Sequence, residues 1–465
     1  MRMSELPGPR GWPIVGNALQ IERSRLHLVA ERWSRTYGEY FRFRIGPRWI
    51  FAVANPETIA AMLRDRPDNF RRTARLGQIA NEMGFNGLFS AEGEAWRRQR
   101  PMVMASFDPG HTKSYFPALV KVTQRFARRW QRAAAAREAI DLQADLMRYT
   151  VDVTAGLAFG TDINTLESDQ EVIQTHLDKV FPSLFRRLFS PFPLVAWLQD
   201  RGTGRHLEAL QRAVADFIAQ ARRRMEADPE LRTRPTNLIE AMIAARDNPN
   251  SGVNDGDVAG NVLTMLLAGE DTTANTLAWM IYLLSRHPGA LARVREEVSR
   301  IDAQKYEELS ALPFVDACIN ETMRLKPVAP IIMLQPTRDT KVAEFDVPKG
   351  QLIMCLMRAG ATDERRFPDA QAFEPERWSS TSASSAKRVA MPFGAGPRLC
   401  PGRYLALLEM KMVTAMLFGG FEIESVTTPD GGDAREHLAF TMYPEGLRLR
   451  LRERVKAEAR HARSA

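Results

Sequence analysis

Residues 257–286 read as one uninterrupted helix, and its length constrains the fold more than any other feature. Asp255 or Asp257 supplies an acidic cap, and His287-Pro288 supplies the stop. Thirty residues at about 1.5 Å each span about 45 Å, enough to cross a whole domain. Residues 272–285 carry no charge, but fourteen residues fall short of the roughly 18–20 that a bilayer requires. Such a helix has to be sheathed by other protein elements.

The rest of the chain supplies them. The opening segment 6–17 is too rich in proline and glycine to be helical. Residues 40–45 and 49–54 alternate as strands around a Gly46-Pro47 turn, which predicts a hairpin. From about 55 to 330 the periodicity is helical, with breaks near 108–110, 182–204 and 247–256. Beyond 330 come strand-like runs such as 351–357, a Ser-rich loop at 379–385, and a last helix over 401–418. A charged tail, 453–465, is expected to fray. The expected fold class is mainly α (α+β): a single domain over 1–465 with a Pro-rich start (1–17) and a small β-rich part drawn from both ends.

Composition excludes several function classes. The 465 residues are 45% hydrophobic and 26% charged, which is globular usage. Three cysteines, Cys318, Cys355 and Cys400, cannot make a secreted disulfide framework, so a reducing, cytoplasmic setting is expected. The N-terminus shows no secretory signal, and no transmembrane anchor is expected. The net charge of +8 is concentrated: residues 94–132 hold nine basic and two acidic residues. A local basic face suits an acidic protein better than nucleic acid, which is not an expected partner.

The chemistry is densest in 393–403, Phe-Gly-Ala-Gly-Pro-Arg-Leu-Cys-Pro-Gly-Arg. Gly394 and Gly396 let the backbone approach something flat and bulky. Pro401 suits a first helical position, which would place the Cys400 sulfur at a helix N-terminus, where a thiolate is favoured. A second constellation is Ala268-Gly269-Glu270-Asp271-Thr272-Thr273, mid-helix. There the Thr272 hydroxyl can bond the carbonyl of Ala268, loosening the helix beside a carboxylate. A third is Glu321 with Arg324, three apart on one helical face.

The 393–403 loop resembles the haem-binding loop of the cytochrome P-450 family, the haem-thiolate monooxygenases, and the resemblance covers nearly the whole chain. It implies that haem b lies between the long helix and the cysteine loop, with Cys400 as the iron's ligand. It implies haem contacts from Phe393, Gly394, Arg398, Gly402, Ala268, Trp96 and Arg100, and proton relay to dioxygen by Thr272 and Asp271. It also implies a buried Glu321–Arg324–Arg377 network. One departure stands out: where many relatives place a propionate-binding Arg or His, this chain has Gln335 and, farther along, Arg338.

The same likeness sets the expected reaction, insertion of one atom of O2 into a small, largely apolar molecule such as a fatty acid, terpenoid or steroid. Electrons would come from NAD(P)H through a ferredoxin, flavodoxin or reductase docked on the basic face. Phe89, Val328, Ala329, Ile331 and Phe440 are expected to line the substrate pocket, being apolar. The Phe- and Pro-rich stretch 179–201 is a candidate lid or membrane contact through Phe181, Phe185, Phe189 and Phe192. The alternatives are a haem-thiolate peroxygenase or isomerase needing no external electrons, and a non-enzymatic haem-based binder of hydrophobic ligands.

Overall fold

In the computed structural model, residues 1–168, 173–189, 202–379 and 383–454 are described. The long helix runs Asp255–Arg286 and is buried on most of its circumference from Val258 to Leu284. Its cap is Asn254, not either aspartate. The Asn254 side chain accepts from the Asp257 amide while the Asp257 carboxylate accepts from the Asn254 amide. This reciprocal pair satisfies two otherwise orphaned donors, which a lone aspartate cannot do. Pro288 then opens the next helix, Pro288–Ser299.

The helix Leu142–Phe159 packs most extensively along this axle. Gly269 explains the close approach, since a Cβ there would collide with the Thr154 side chain. Helices Thr203–Ala227, Leu238–Asp247, Pro313–Leu325 and Arg403–Gly420 complete the sheath. Among the described residues, no helix is long and apolar enough to cross a membrane.

The β-rich part does come from both ends. A five-stranded sheet orders Tyr40–Ile45, Arg48–Val53, Leu352–Leu356, Ile331–Pro336 and Phe70–Arg72. The expected hairpin is present, with Tyr40 opposite Val53. Two expectations are corrected. The chain stays helical through Pro182, in Ile173–Phe189. The last helix begins at Arg403, because Pro401 and Gly402 are spent on a turn. In the 179–201 stretch Phe185 is buried; Phe192 lies outside the described residues, as do the side chains of Phe181 and Phe189.

Candidate functional site

The cysteine loop is a self-bonded scaffold. The Cys400 amide donates to the Phe393 carbonyl at 3.0 Å, and the Leu399 amide donates to the Gly396 carbonyl at 3.0 Å. Gly394 (φ +78°) and Gly396 (φ +71°) both occupy the left-handed region, where a Cβ is strained. They serve different ends. A Cβ at Gly396 would sit 2.5 Å from the Leu63 carbonyl oxygen, whereas one at Gly394 would meet nothing within 4 Å. Gly396 therefore seats the loop on helix Pro56–Arg64, while Gly394 leaves one side of the loop open. Burial pushes the Cys400 thiol above its ordinary pKa, against the opposing pull of the Gly402 N–H and the charges of Arg100 and Arg403. Desolvation thus outweighs the neighbouring N–H and cations, and Cys400 precedes the helix by a turn rather than sitting at its first residue.

Next to the loop lies a knot of buried cations. Arg100 donates to the Leu399 carbonyl at 2.6 Å. Arg398 donates to the Ala91 carbonyl at 2.7 Å and to the Glu92 carboxylate at 2.6 Å, with its guanidinium 4.9 Å from the centre of the buried Trp96 ring. Arg72 lies 3.7 Å over the Phe89 ring. Arg66 is buried close by, near enough to lower the pKa of both Arg72 and Arg398, and Arg398 in turn lowers that of Arg72. Desolvation is the larger cause, and it takes Arg398 down to about 10. Among the described residues, Nε of Arg66, Arg72 and Arg398, and Nη2 of Arg66, are buried without an acceptor.

Three guanidinium groups here share one carboxylate, Glu92. Unmatched buried donors and an excess of two positive charges call for a dianion. The two carboxylates of a haem meet that requirement, and a thiol on an open-faced loop stands beside them. The donor set therefore fits the group that the sequence implies. Arg66 and Arg72 escaped the sequence analysis because arginines there carry no periodic or motif signal. The departure at Gln335 has a structural counterpart. That side chain is spent on backbone, accepting from the Ala74 amide and donating to the Gly350 carbonyl, each at 2.8 Å. Arg338 is exposed. Arg72 lies on the strand paired with the one that carries Gln335, so a guanidinium is present close to that position.

On the long helix, Thr272 donates to the Ala268 carbonyl at 2.9 Å, as the sequence suggests. Ala268 is exposed and Thr272 half-buried amid buried neighbours, so these two share one open face. Asp271 does not share it. Its carboxylate accepts from Asn275 Nδ2 at 2.6 Å and from the Thr441 hydroxyl. Gln143 donates to Asn275 Oδ1 at 2.8 Å, extending the chain of polar groups. A cavity of about 290 Å³ adjoins it, lined by Gln143, Glu270, Asp271, Phe440 and Tyr443 among others.

The expected pocket residues are brought together in part. Phe89 and Phe440 meet edge-on at 5.6 Å. The Val328 carbonyl accepts from the Met442 amide at 2.8 Å, tying the Phe440 turn to the chain after the Glu–Arg helix. Val328, Ala329, Ile331, Phe89 and Phe440 are all incompletely buried. The Glu321 network is present: Arg324 makes two 2.8 Å bonds to Glu321, which also accepts from Arg377 Nε at 3.0 Å and Trp378 Nε1 at 2.8 Å.

The basic segment differs from expectation. Arg97, Lys113, Lys121, Arg125, Arg128 and Arg129 are each ion-paired with carboxylates, mostly from outside the segment. The sequence count of +7 is therefore largely neutralised in the fold.

Comparison with known proteins shows the family. The family model for cytochrome P-450 matches residues 6–451. The pentalenene oxygenase of Streptomyces avermitilis is 29% identical, over 97% of this chain and 98% of its own. The cyclooctat-9-en-7-ol 5-monooxygenase of Streptomyces melanosporofaciens is 28% identical, over 90% and 89%. A bifunctional cytochrome P-450/NADPH–P-450 reductase, ascE of Acremonium egyptiacum, is 26% identical over 92% of this chain and 41% of that longer protein. With a family model matching nearly its whole length and relatives named as oxygenases, the chain belongs to the cytochrome P-450 family and is a haem-thiolate monooxygenase that uses O2.

Proposed function

We propose that residues 1–465 form one catalytic unit that holds haem b and oxygenates a terpene-like hydrocarbon, with electrons delivered by a separate protein. The observation that carries this reading is the buried guanidinium excess of Arg66, Arg72 and Arg398 beside the Cys400 loop. Arg398, Arg100 and Trp96, with Arg66 and Arg72, would hold the propionate edge. Cys400 would hold the iron, with Phe393, Gly394 and Gly402 shaping its surroundings. Ala268 would contact the group from the exposed face of the long helix. When bound, the haem supplies dioxygen activation, favoured by the electron push of a thiolate.

The chain's own residues do the rest. The Thr272 hydroxyl, its hydrogen held by the Ala268 carbonyl, presents its oxygen lone pairs on the open helix face, where they can accept from and orient a proton-carrying water. Asp271, one residue away, exchanges protons with water in the adjoining cavity, through the side that Thr441 and Asn275 hold. Phe89, Val328, Ala329, Ile331 and Phe440 exclude water and favour an apolar substrate. The terpenoid names of two relatives favour that class, and the reductase fused in a third supports an external electron donor. With most of the basic segment ion-paired, the surface around Arg403 and Tyr404, next to Cys400, is the better docking candidate.

The test is spectroscopic. Reduced, purified protein under carbon monoxide should show the red-displaced Soret band of thiolate ligation, and C400A should lose it. A normal haem complement with an imidazole-type spectrum would overturn the assignment. Terpene hydrocarbons should produce a low-to-high-spin shift, and failure of the whole panel alongside a response to fatty acids would overturn the substrate class.

A further inference from the structure

Gln143 joins the Asp271 network from another helix and belongs to no motif in the sequence. It lies in the first turn of Leu142–Phe159, whose cap Asp141 accepts from the Ala144 amide at 3.2 Å. The strand ahead of it, Ile140–Asp141, pairs with Arg448 and Leu449 of the strand Arg448–Glu453. Cap and strand together fix where Gln143 sits. From there its Nε2 donates to Asn275 Oδ1 at 2.8 Å. Asn275 Nδ2 in turn donates to Asp271 at 2.6 Å and to the Thr441 hydroxyl oxygen at 3.3 Å. Asn275 is wholly buried, and Asp271 is 7% exposed.

These bonds run in one direction. An ionised carboxylate only accepts, so the Asn275 amide presents its nitrogen to Asp271 and its oxygen away from it. Gln143 meets that oxygen with an N–H. Turning the Asn275 amide over would set its NH2 against the NH2 of Gln143 and its oxygen against the carboxylate, which is repulsive at both ends. The Thr441 hydroxyl is committed in the same sense, since its oxygen accepts from Asn275 and its hydrogen goes to Asp271. Donors therefore reach both oxygens of the acid, and each favours its charged form.

We propose that Gln143 is a positioning residue for proton transfer: by holding the Asn275 amide it keeps Asp271 ionised between exchanges and leaves the cavity-facing side of the carboxylate to exchange the proton. Cavity water gives a proton to the carboxylate and water takes it back, so no other group changes charge. Asp141, Glu270 and Tyr443 line the same cavity, and Arg448 pairs with Asp141 at 3.2 Å. Negative charge on Asp141 or Glu270 works against ionisation of Asp271, and the converging amide and hydroxyl work for it. With Gln143 gone, the Asn275 amide can turn and offer its oxygen to a protonated Asp271, so proton affinity rises. The inference rests on the proton-exchange role given to Asp271 above and adds the residue that tunes it.

The experiment is a pH titration of the full haem-loaded chain by infrared difference spectroscopy, reading the protonated-carboxyl band that D271N removes. Q143M keeps the length of the side chain and deletes the donor. Its midpoint should lie about one pH unit or more above the wild type, the scale of a lost hydrogen bond to a charged group. In an N275L background, where the amide is absent, Q143M should add no further shift. The pH limb of product formed per NADPH should move up together with the infrared midpoint. Carbon monoxide spectra of the same samples report the thiolate-bound haem, so failure of that assignment shows there and not in the midpoint. Coupling in D271N reads the role of the acid itself: if D271N uncouples and Q143M does not, only the role of Gln143 fails. Three results would overturn the proposal. They are an unshifted midpoint or no such band in Q143M, an equal shift when Q143M is added to N275L, and a shifted midpoint with an unmoved coupling profile.

Discussion

The Thr441 hydroxyl donates directly to the Asp271 carboxylate, joining the turn that carries Phe440 to the middle of the long helix. Asn275 holds the other carboxylate oxygen at 2.6 Å. The acid therefore faces the water-accessible cavity, while its neighbour Thr272, about 100° round the helix, lies on the open face with Ala268. Replacing Asp271 by Asn should slow product formation about 100-fold, the usual scale for losing a positioned proton-transfer group. T441V should instead let O2 consumption run ahead of product, and T441S should restore the coupling. Product formed per NADPH, measured in ordinary and heavy water, separates a proton-delivery role from a packing role. Equal coupling in T441V and wild type would sink the assignment.

Arg72 offers a test that changes sign with the cofactor. In the haem-free chain its buried guanidinium is surplus charge, and burial together with Arg66 and Arg398 drives its pKa down. R72L should therefore raise the melting temperature of the haem-free protein, because replacing an uncompensated buried charge with an apolar group is stabilising. In the loaded protein the same change should speed haem loss to a scavenger about tenfold or more, through one lost charge-assisted bond. Scanning calorimetry with and without haem reads both.

Glu436 sets an acid-stability prediction. Burial alone would raise its pKa, but His27, Arg358 and Lys326 outweigh burial and hold it far below the ordinary value of 4.5. A carboxylate depressed in this way contributes stability that is fully present above about pH 4.5 and drains away as pH falls toward the native value. E436Q should cost about 3–5 kcal/mol at neutral pH, since it strands Arg358 between Glu31 and a neutral group. Its stability should also fall less steeply below pH 4.5 than that of the wild type. Urea titrations across pH 3–7 would show this, and parallel curves for the two proteins would refute it.

The two loop glycines should respond differently to alanine. Gly394 bears only the left-handed backbone cost, so G394A should lose about 1 kcal/mol. At Gly396 the new Cβ would also strike the Leu63 carbonyl, so G396A should lose about 3 kcal/mol or more, unless the loop lifts off helix Pro56–Arg64. Denaturation midpoints of the two variants rank the effects, and equal losses would contradict the packing account.

Local chemistry made much of this protein legible in its sequence. The long helix, the 40–54 hairpin, the Glu321–Arg324 pairing and the cysteine loop depend on periodicity, caps and turn residues within a short stretch of chain. The Thr272–Ala268 bond was equally legible, because it closes within one helical turn. What only the tertiary structure decided involves groups far apart in sequence. It gathered Arg66 and Arg72 beside Arg398 and spent Gln335 on backbone. It also turned Asp271 toward Thr441 and neutralised most of the 94–132 charge with carboxylates from other elements. The physical reason is that burial and electrostatics depend on spatial neighbours. An arginine reads the same in sequence whether it ends in water, on a carboxylate, or buried among other cations.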